Sequence, residues 1–105
     1  MMNSGLFYCM KTGQQLTAKV LYSDRLQVYI IAPDCLRRLA KRFNCDFKDI
    51  ASVDFVCAYK TPSAFRNKSR CIYYLPEMPD LYDESACKKM MKMSEVFYNN
   101  VLEER

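Results

Sequence analysis

The stretch LTAKVLYSDRLQVYIIAPDCLRRLAKRF, residues 16–43, switches its hydrophobic period once, from two to about 3.6 residues. In 16–22, Leu16, Ala18, Val20 and Tyr22 alternate with Thr17 and Lys19. In 25–32, Leu26, Val28 and Ile30 alternate with Arg25, Gln27 and Tyr29. Ser23 and Asp24 lie between, and both side chains bend a chain by hydrogen-bonding nearby backbone. The spacing predicts an antiparallel hairpin with one buried face. Pro33-Asp34 ends the second strand, since proline offers no N–H to a ladder, and opens a helix, whose first N–H needs no partner. Leu36, Leu39, Ala40 and Phe43 then fall at i, i+3, i+4 and i+7 as one apolar stripe, with Arg37, Arg38, Lys41 and Arg42 opposite. Asn44 suits a helix stop.

Working outward, Leu6 to Met10 is a short apolar strand, punctuated by Thr12-Gly13-Gln14-Gln15. Phe47 to Tyr59 places Ala51, Val53, Phe55, Cys57 and Tyr59 on one side, which predicts a single strand with Asp54 facing water or a partner. KTPSAFRNKSR (60–70) holds four basic residues and no acid, and is expected to be an exposed loop. CIYYL (71–75) is a further strand, and PEMPDLYDE (76–84) an acidic linker. A long amphipathic helix follows from about Asp83 to Glu103. Its core stripe is Ala86, Met90, Met93, Phe97 and Val101, widened by Cys87, Met91, Tyr98 and Leu102, with Met91 the member nearest the exposed edge. Lys88, Lys92, Glu95, Asn99 and Glu103 face water. Hairpins outnumber crossovers, so the expected architecture is a single α+β domain spanning 1–105. It has a small antiparallel sheet of about five strands, a short basic helix and a long C-terminal helix, both helices on one face.

Composition narrows the function classes. The chain has 105 residues, half of them apolar and 27% charged, with only two glycines and four prolines. That is one globular domain and not a disordered or fibrous segment. No apolar run approaches the roughly 20 residues of a membrane-spanning helix. The N-terminal sequence lacks the basic region and apolar run of a secretory signal. The expected address is therefore intracellular, cytoplasmic or nuclear. The six cysteines, at 9, 35, 45, 57, 71 and 87, form no CxxC pair, and several sit in apolar stretches. They are expected to be reduced and structural, acting as small hydrophobes. Without histidine there is no Cys/His metal site, no histidine-activated nucleophile and no histidine acid–base catalyst. With two glycines there is no glycine-rich phosphate loop. The acids Glu77, Asp80, Asp83 and Glu84 lie in a linker and at a helix start, where acids are favoured for structural reasons. Nothing in the sequence calls for catalysis, a metal or a cofactor.

Two motifs resemble the pleckstrin-homology-like superfold, especially its GRAM variants: Leu21-Tyr22-Ser23-Asp24-Arg25-Leu26 at a strand turn, and Phe47-Lys48-Asp49-Ile50-Ala51-Ser52-Val53 at a strand entry. The resemblance covers residues 16–103 and includes a long terminal helix, which in that superfold plugs an open barrel. It departs from the pattern in the basic helix at 34–43 and in having five strands where seven are usual. It implies a binding scaffold for protein segments or phosphoinositide headgroups, since fold does not determine function.

The residues that carry function are expected on the basic helix face, Arg37, Arg38, Lys41 and Arg42, with Phe65, Arg66, Lys68 and Arg70 of the loop second. Such a patch attracts anions. The leading expectation is a non-enzymatic module that binds another protein, as adaptor, complex subunit or inhibitor from a virus or phage. It would use this patch, an exposed sheet edge and exposed aromatics. A nucleic-acid binder using the same cations on phosphates is the alternative. A phosphoinositide or membrane-surface binder using Lys60, Arg66, Lys68 and Arg70 is a third. Tyr59, Tyr73, Tyr74 and Tyr82 are candidates for aromatic contacts, against the plainer reading that they close the core with wet hydroxyls.

Overall fold

The computed structural model describes residues 2–58 and 67–103, except the side chains of Met2, Lys68 and residues 94–103. The strands are β1 (Met2–Cys9), β2 (Gln15–Ser23), β3 (Val28–Ile31), β4 (Ile50–Ser52), β5 (Val56–Cys57) and β6 (Cys71–Tyr74), and the helices α1 (Pro33–Phe43) and α2 (Glu84–Glu103). The strands form one sheet in the order β4-β1-β2-β3-β6-β5. The α+β class stands, with six strands among the described residues where five were expected. The sheet is mostly antiparallel, but β6 runs parallel to β3 and to β5.

The extra strand comes from the segment expected to be one strand over 47–59. Phe47–Asp49 is a 3-10 turn, β4 pairs with the far side of β1, a bend follows, and β5 pairs with β6 at the opposite edge. Only residues 53–55 separate the two edge strands in the chain. A span that short cannot cross an open sheet of six strands spaced about 4.8 Å apart, so the sheet coils until its edges meet, nearly a barrel. The Ser52 N–H donates to the Cys57 sulfur across the seam at 3.0 Å, and the Tyr74 hydroxyl donates to the same sulfur at 2.8 Å. The Phe55 N–H donates to the Ser52 hydroxyl at 3.1 Å and holds the bend. The expected alternation fails there: Ala51 and Cys57 are buried, Phe55 is half-buried and Val53 is 47% exposed. Asp54 does face water. Tyr59 lies outside the described residues.

The hairpin also differs from the simple expectation. Its turn takes residues 24–27, with Gln27 in the left-handed region at φ 54° and its N–H donating to the Ser23 carbonyl at 2.7 Å. That length pairs Tyr22 with Tyr29 and Leu21 with Ile30. Tyr29 therefore shares the face of Val20 and Tyr22, its ring 4.8 Å from Tyr22 and 4.6 Å from Phe55. Val28 and Ile30 point the other way. The hairpin has two buried faces, not one.

Each face has its own core. The inner one draws on all six strands, through Phe7, Cys9, Val20, Ile31, Ile50, Ala51, Cys57, Ile72 and Tyr74, and is closed by Leu36, Leu39 and Phe43 of α1. The outer one holds Val28, Ile30, Ala58, Cys71, Tyr73 and Leu75 against Met90 and Met91 of α2. The helices thus lie on opposite faces, correcting the expectation of one. The long terminal helix does not fill the coiled sheet; α1 does, and the pleckstrin-homology-like architecture is not established. Along α2, Cys87 and Met91 are buried while Met93 is 48% exposed. The buried stripe is rotated toward Met91, opposite to the expected exposure of these two methionines. Phe97, Tyr98, Val101 and Leu102 of that expected stripe, with Glu95, Asn99 and Glu103, lie outside the described side chains.

Candidate binding site

α1 starts at Pro33, one residue after the extended Ala32, and stops at Asn44 at φ 53°, whose N–H caps the carbonyls of Ala40 and Lys41. Burial of Leu36, Leu39 and Phe43 on the inner core fixes the rotation of the helix. The same rotation turns Arg37, Arg38, Lys41 and Arg42 to solvent, as the spacing predicted. Lys41 and Arg42 occupy the last turn, where cations face the negative end of the helix dipole. Arg37 is paired with Asp34 one turn back. Among the described residues no carboxylate pairs with Arg38, Lys41 or Arg42.

Two open grooves flank this face. The first, about 310 Å³, is lined by Ser4, Thr17, Ala18, Lys19, Cys35, Arg38, Leu39 and Arg42. It brings three cations and two hydroxyls together with no acid. The second, about 460 Å³, is lined by Lys11, Ala40, Lys41, Asn44, Cys45 and Asp46. Its charges are largely satisfied: Lys11 lies 3.5 Å from the buried Asp49 carboxylate, and Asp46 lies 3.9 Å from Lys48. Among the described residues Lys41 leaves one unpaired cation at the second groove, against Arg38, Arg42 and Lys19 at the first, so most of the unpaired positive charge lies on the first groove.

Lys19, Thr17 and Ser4 were not singled out from sequence, where Thr17 and Lys19 were only the polar side of a strand and Ser4 preceded the first strand expected. Nothing in a linear pattern says that α1 crosses beside them. Of the second-rank residues, Arg70 is exposed before β6 and lines neither groove. Lys60, Phe65 and Arg66 lie outside the described residues, as does the side chain of Lys68. Tyr73 and Tyr74 are core residues and offer no surface contact, but neither keeps the expected wet hydroxyl: both are at most 1% exposed and the Tyr74 hydroxyl is spent on the Cys57 sulfur, while Tyr82 is 87% exposed. The expected exposed sheet edge is not offered at β4 and β5, which meet along the Ser52–Cys57 seam. Three of the four acids of 77–84 have structural partners: Asp80 accepts from the Tyr82 N–H, Asp83 accepts from the Ala86 N–H, and Glu84 pairs with Lys88 at 3.0 Å. That hydrogen bond to Lys88 holds the Glu84 carboxyl below its usual range. No cluster of potential metal ligands occurs among the described residues.

One thiol, Cys45, lines the second groove. All six cysteines are free thiols in this structure. The Thr12 hydroxyl favours the Cys9 thiolate and holds its pKa down. Burial, then the Cys9 contact, pushes Cys45 up to about 11. Burial also pushes Cys71 and Cys87 up. A thiol harder to ionise folded than unfolded contributes stability that is complete below its ordinary value near 9.0 and is lost as the pH rises toward about 11. The thermal midpoint is thus expected to fall between about pH 8.5 and about pH 10.5, and to fall less steeply in Cys45→Ala. Parallel slopes in the two proteins would refute the assignment.

Comparison with known protein families, with curated proteins and with solved structures finds no match to this chain.

Proposed function

We propose that this chain is a non-enzymatic, intracellular binding module that recognises an acidic segment of another protein through the outer face of α1. The observation carrying this reading is that Arg38, Lys41 and Arg42 are exposed, adjacent and without acidic partners among the described residues. Exposed cations of one sign raise the local concentration of anionic partners and speed their association. A nucleic-acid reading uses the same cations but has no stacking platform to support it, because no aromatic side chain among the described residues lines either groove. A membrane-surface reading, which the pleckstrin-homology-like resemblance would imply, lacks an apolar anchor. The exposed large apolar side chains, Met10, Val53, Val56, Met78, Tyr82 and Met93, are all off α1.

The test compares the reduced wild-type protein with Arg38→Glu/Arg42→Glu as bait in nuclease-treated cell lysate. The expected result is one stoichiometric protein retained by the wild type and lost from the variant, both baits having the same circular dichroism spectrum. Retention of that protein by both baits would place its binding elsewhere. In untreated lysate, nucleic acid retained at low salt with a steep log–log salt dependence would replace this reading with the nucleic-acid one.

A further inference from the structure

We infer that the groove between α1 and β2 is a phosphate pocket in which Arg38, Arg42 and Lys19 hold a phosphorylated serine or threonine of the partner protein. The inference rests on the reading above and names the group that the face recognises. Three observations lead to it. Three cations line one groove from two elements, Arg38 and Arg42 one helical turn apart on α1 and Lys19 from the middle of β2. Among the described residues no carboxylate lines the groove and none pairs with the three cations. The remaining polar lining, Ser4 and Thr17, supplies two hydroxyls that can donate to an anion's oxygens.

Stoichiometry of charge favours phosphate over carboxylate. A phosphomonoester carries about −1.5 to −2 at neutral pH and three strong acceptor oxygens, against one charge and two oxygens for Asp or Glu. Three cations around a single carboxylate would leave a large uncompensated repulsion. Around a phosphate dianion the charges nearly balance, and each arginine can present its paired N–H groups to two oxygens. The volume of about 310 Å³ exceeds what the phosphate alone fills, and Ala18 and Leu39 give the remaining wall an apolar surface for a flanking side chain. The second groove, lined by Asp46 and with its Lys11 paired to Asp49, has less demand for an anion.

A phosphopeptide fits better than the other phosphate carriers. A nucleic-acid strand presents a row of monoanionic diesters and gains much of its affinity from stacking, whereas these cations line a single groove that has no aromatic in its lining among the described residues. A phosphoinositide in a bilayer needs the groove to stand at a surface able to approach lipid, and α1 bears no exposed large apolar residue.

The experiment measures retention of the reduced, full chain on three immobilised degenerate peptide libraries that differ only in a fixed central residue: phosphoserine, glutamate or serine. Vesicles containing phosphatidylinositol phosphates and a single-stranded oligonucleotide serve as competing probes. The expected result is at least tenfold stronger retention by the phosphoserine library than by the other two. Arg38→Ala, Arg42→Ala and Lys19→Ala should each lower it about fivefold or more while keeping the wild-type melting temperature. Lys92→Ala, exposed on α2, should leave it unchanged. Equal retention by phosphoserine and glutamate overturns the pocket yet leaves the acidic-partner reading standing. No retention by any library, with the lysate partner still lost on Arg38→Glu/Arg42→Glu, does the same. Loss of the lysate partner's dependence on those arginines removes both. Vesicles or oligonucleotide outcompeting the phosphoserine library would overturn the pocket's assignment to a protein partner. A Lys92→Ala loss equal to that of Arg38→Ala would mean diffuse charge and overturn it as well.

Discussion

Ile30→Ala and Ile31→Ala are each expected to lower the unfolding free energy by about 2–5 kcal/mol, although the two neighbours point to opposite faces of β3. Both are 0% exposed. Ile31 packs in the inner core with Leu36 and Leu39 of α1, and Ile30 in the outer core with Tyr73 and Met91. A sheet buried on one side would make one of the two substitutions nearly neutral, within about 0.5 kcal/mol, because its side chain would already be in water. Urea unfolding checks this through the midpoint, provided the slope stays constant between variants. A near-neutral Ile30→Ala would mean that α2 does not cover the outer face. The two sites belong to separate cores, so the double variant should show less coupling than neighbours within one core.

The second large effect concerns Gly5, in the middle of β1 and opposite Ala18 of β2. A Cβ built there would sit 3.0 Å from the Phe7 ring and 3.5 Å from Val20. The Phe7 ring occupies the space that a side chain at position 5 would need, so glycine is required for room and not for backbone conformation. Gly5→Val is expected to cost about 1–3 kcal/mol despite valine's better strand propensity, because overpacking a filled core displaces side chains from their rotamers. Trimming the ring with Phe7→Leu should relieve part of that loss, giving a favourable coupling of about 0.5–3 kcal/mol in the double-mutant cycle. A cycle with no coupling would show that the penalty comes from elsewhere than the Phe7 contact.

The long, strongly periodic elements were readable directly. The turn of α1 at Pro33, its apolar stripe, its basic face and its stop at Asn44 all follow from local rules, and the structure reproduces each. The alternation of 16–20 likewise assigns the inner face of β2 correctly. The segment 47–59 was misread because alternation over that length fits either one straight strand or two short strands joined by a bend. The choice depends on whether the sheet closes, which rests on contacts the alternation does not encode, Ser52 to Cys57 across the bend and Tyr74 of β6 to Cys57. The faces of β3 were misassigned for a related reason. A turn of four residues in place of two changes nothing in the pattern of either strand, yet the register it sets determines which row faces which core.

The candidate site divides the same way. Arg38, Lys41 and Arg42 were visible as one helix face because helical periodicity is a local property. Lys19, Ser4 and Thr17 were not, because their nearness to α1 arises only when the helix packs onto the coiled sheet. The sequence by itself determined the α+β composition, the helix that carries the cations and the residues pointing away from its buried stripe. Only the tertiary structure decided that the sheet coils until its edges meet, that its helices take opposite faces, and that β2 adds a third cation to the groove. Hydrophobic period specifies which side of an element avoids water. It does not specify which other element covers that side, and that pairing is settled by strand register, turn length and the packing of non-local side chains.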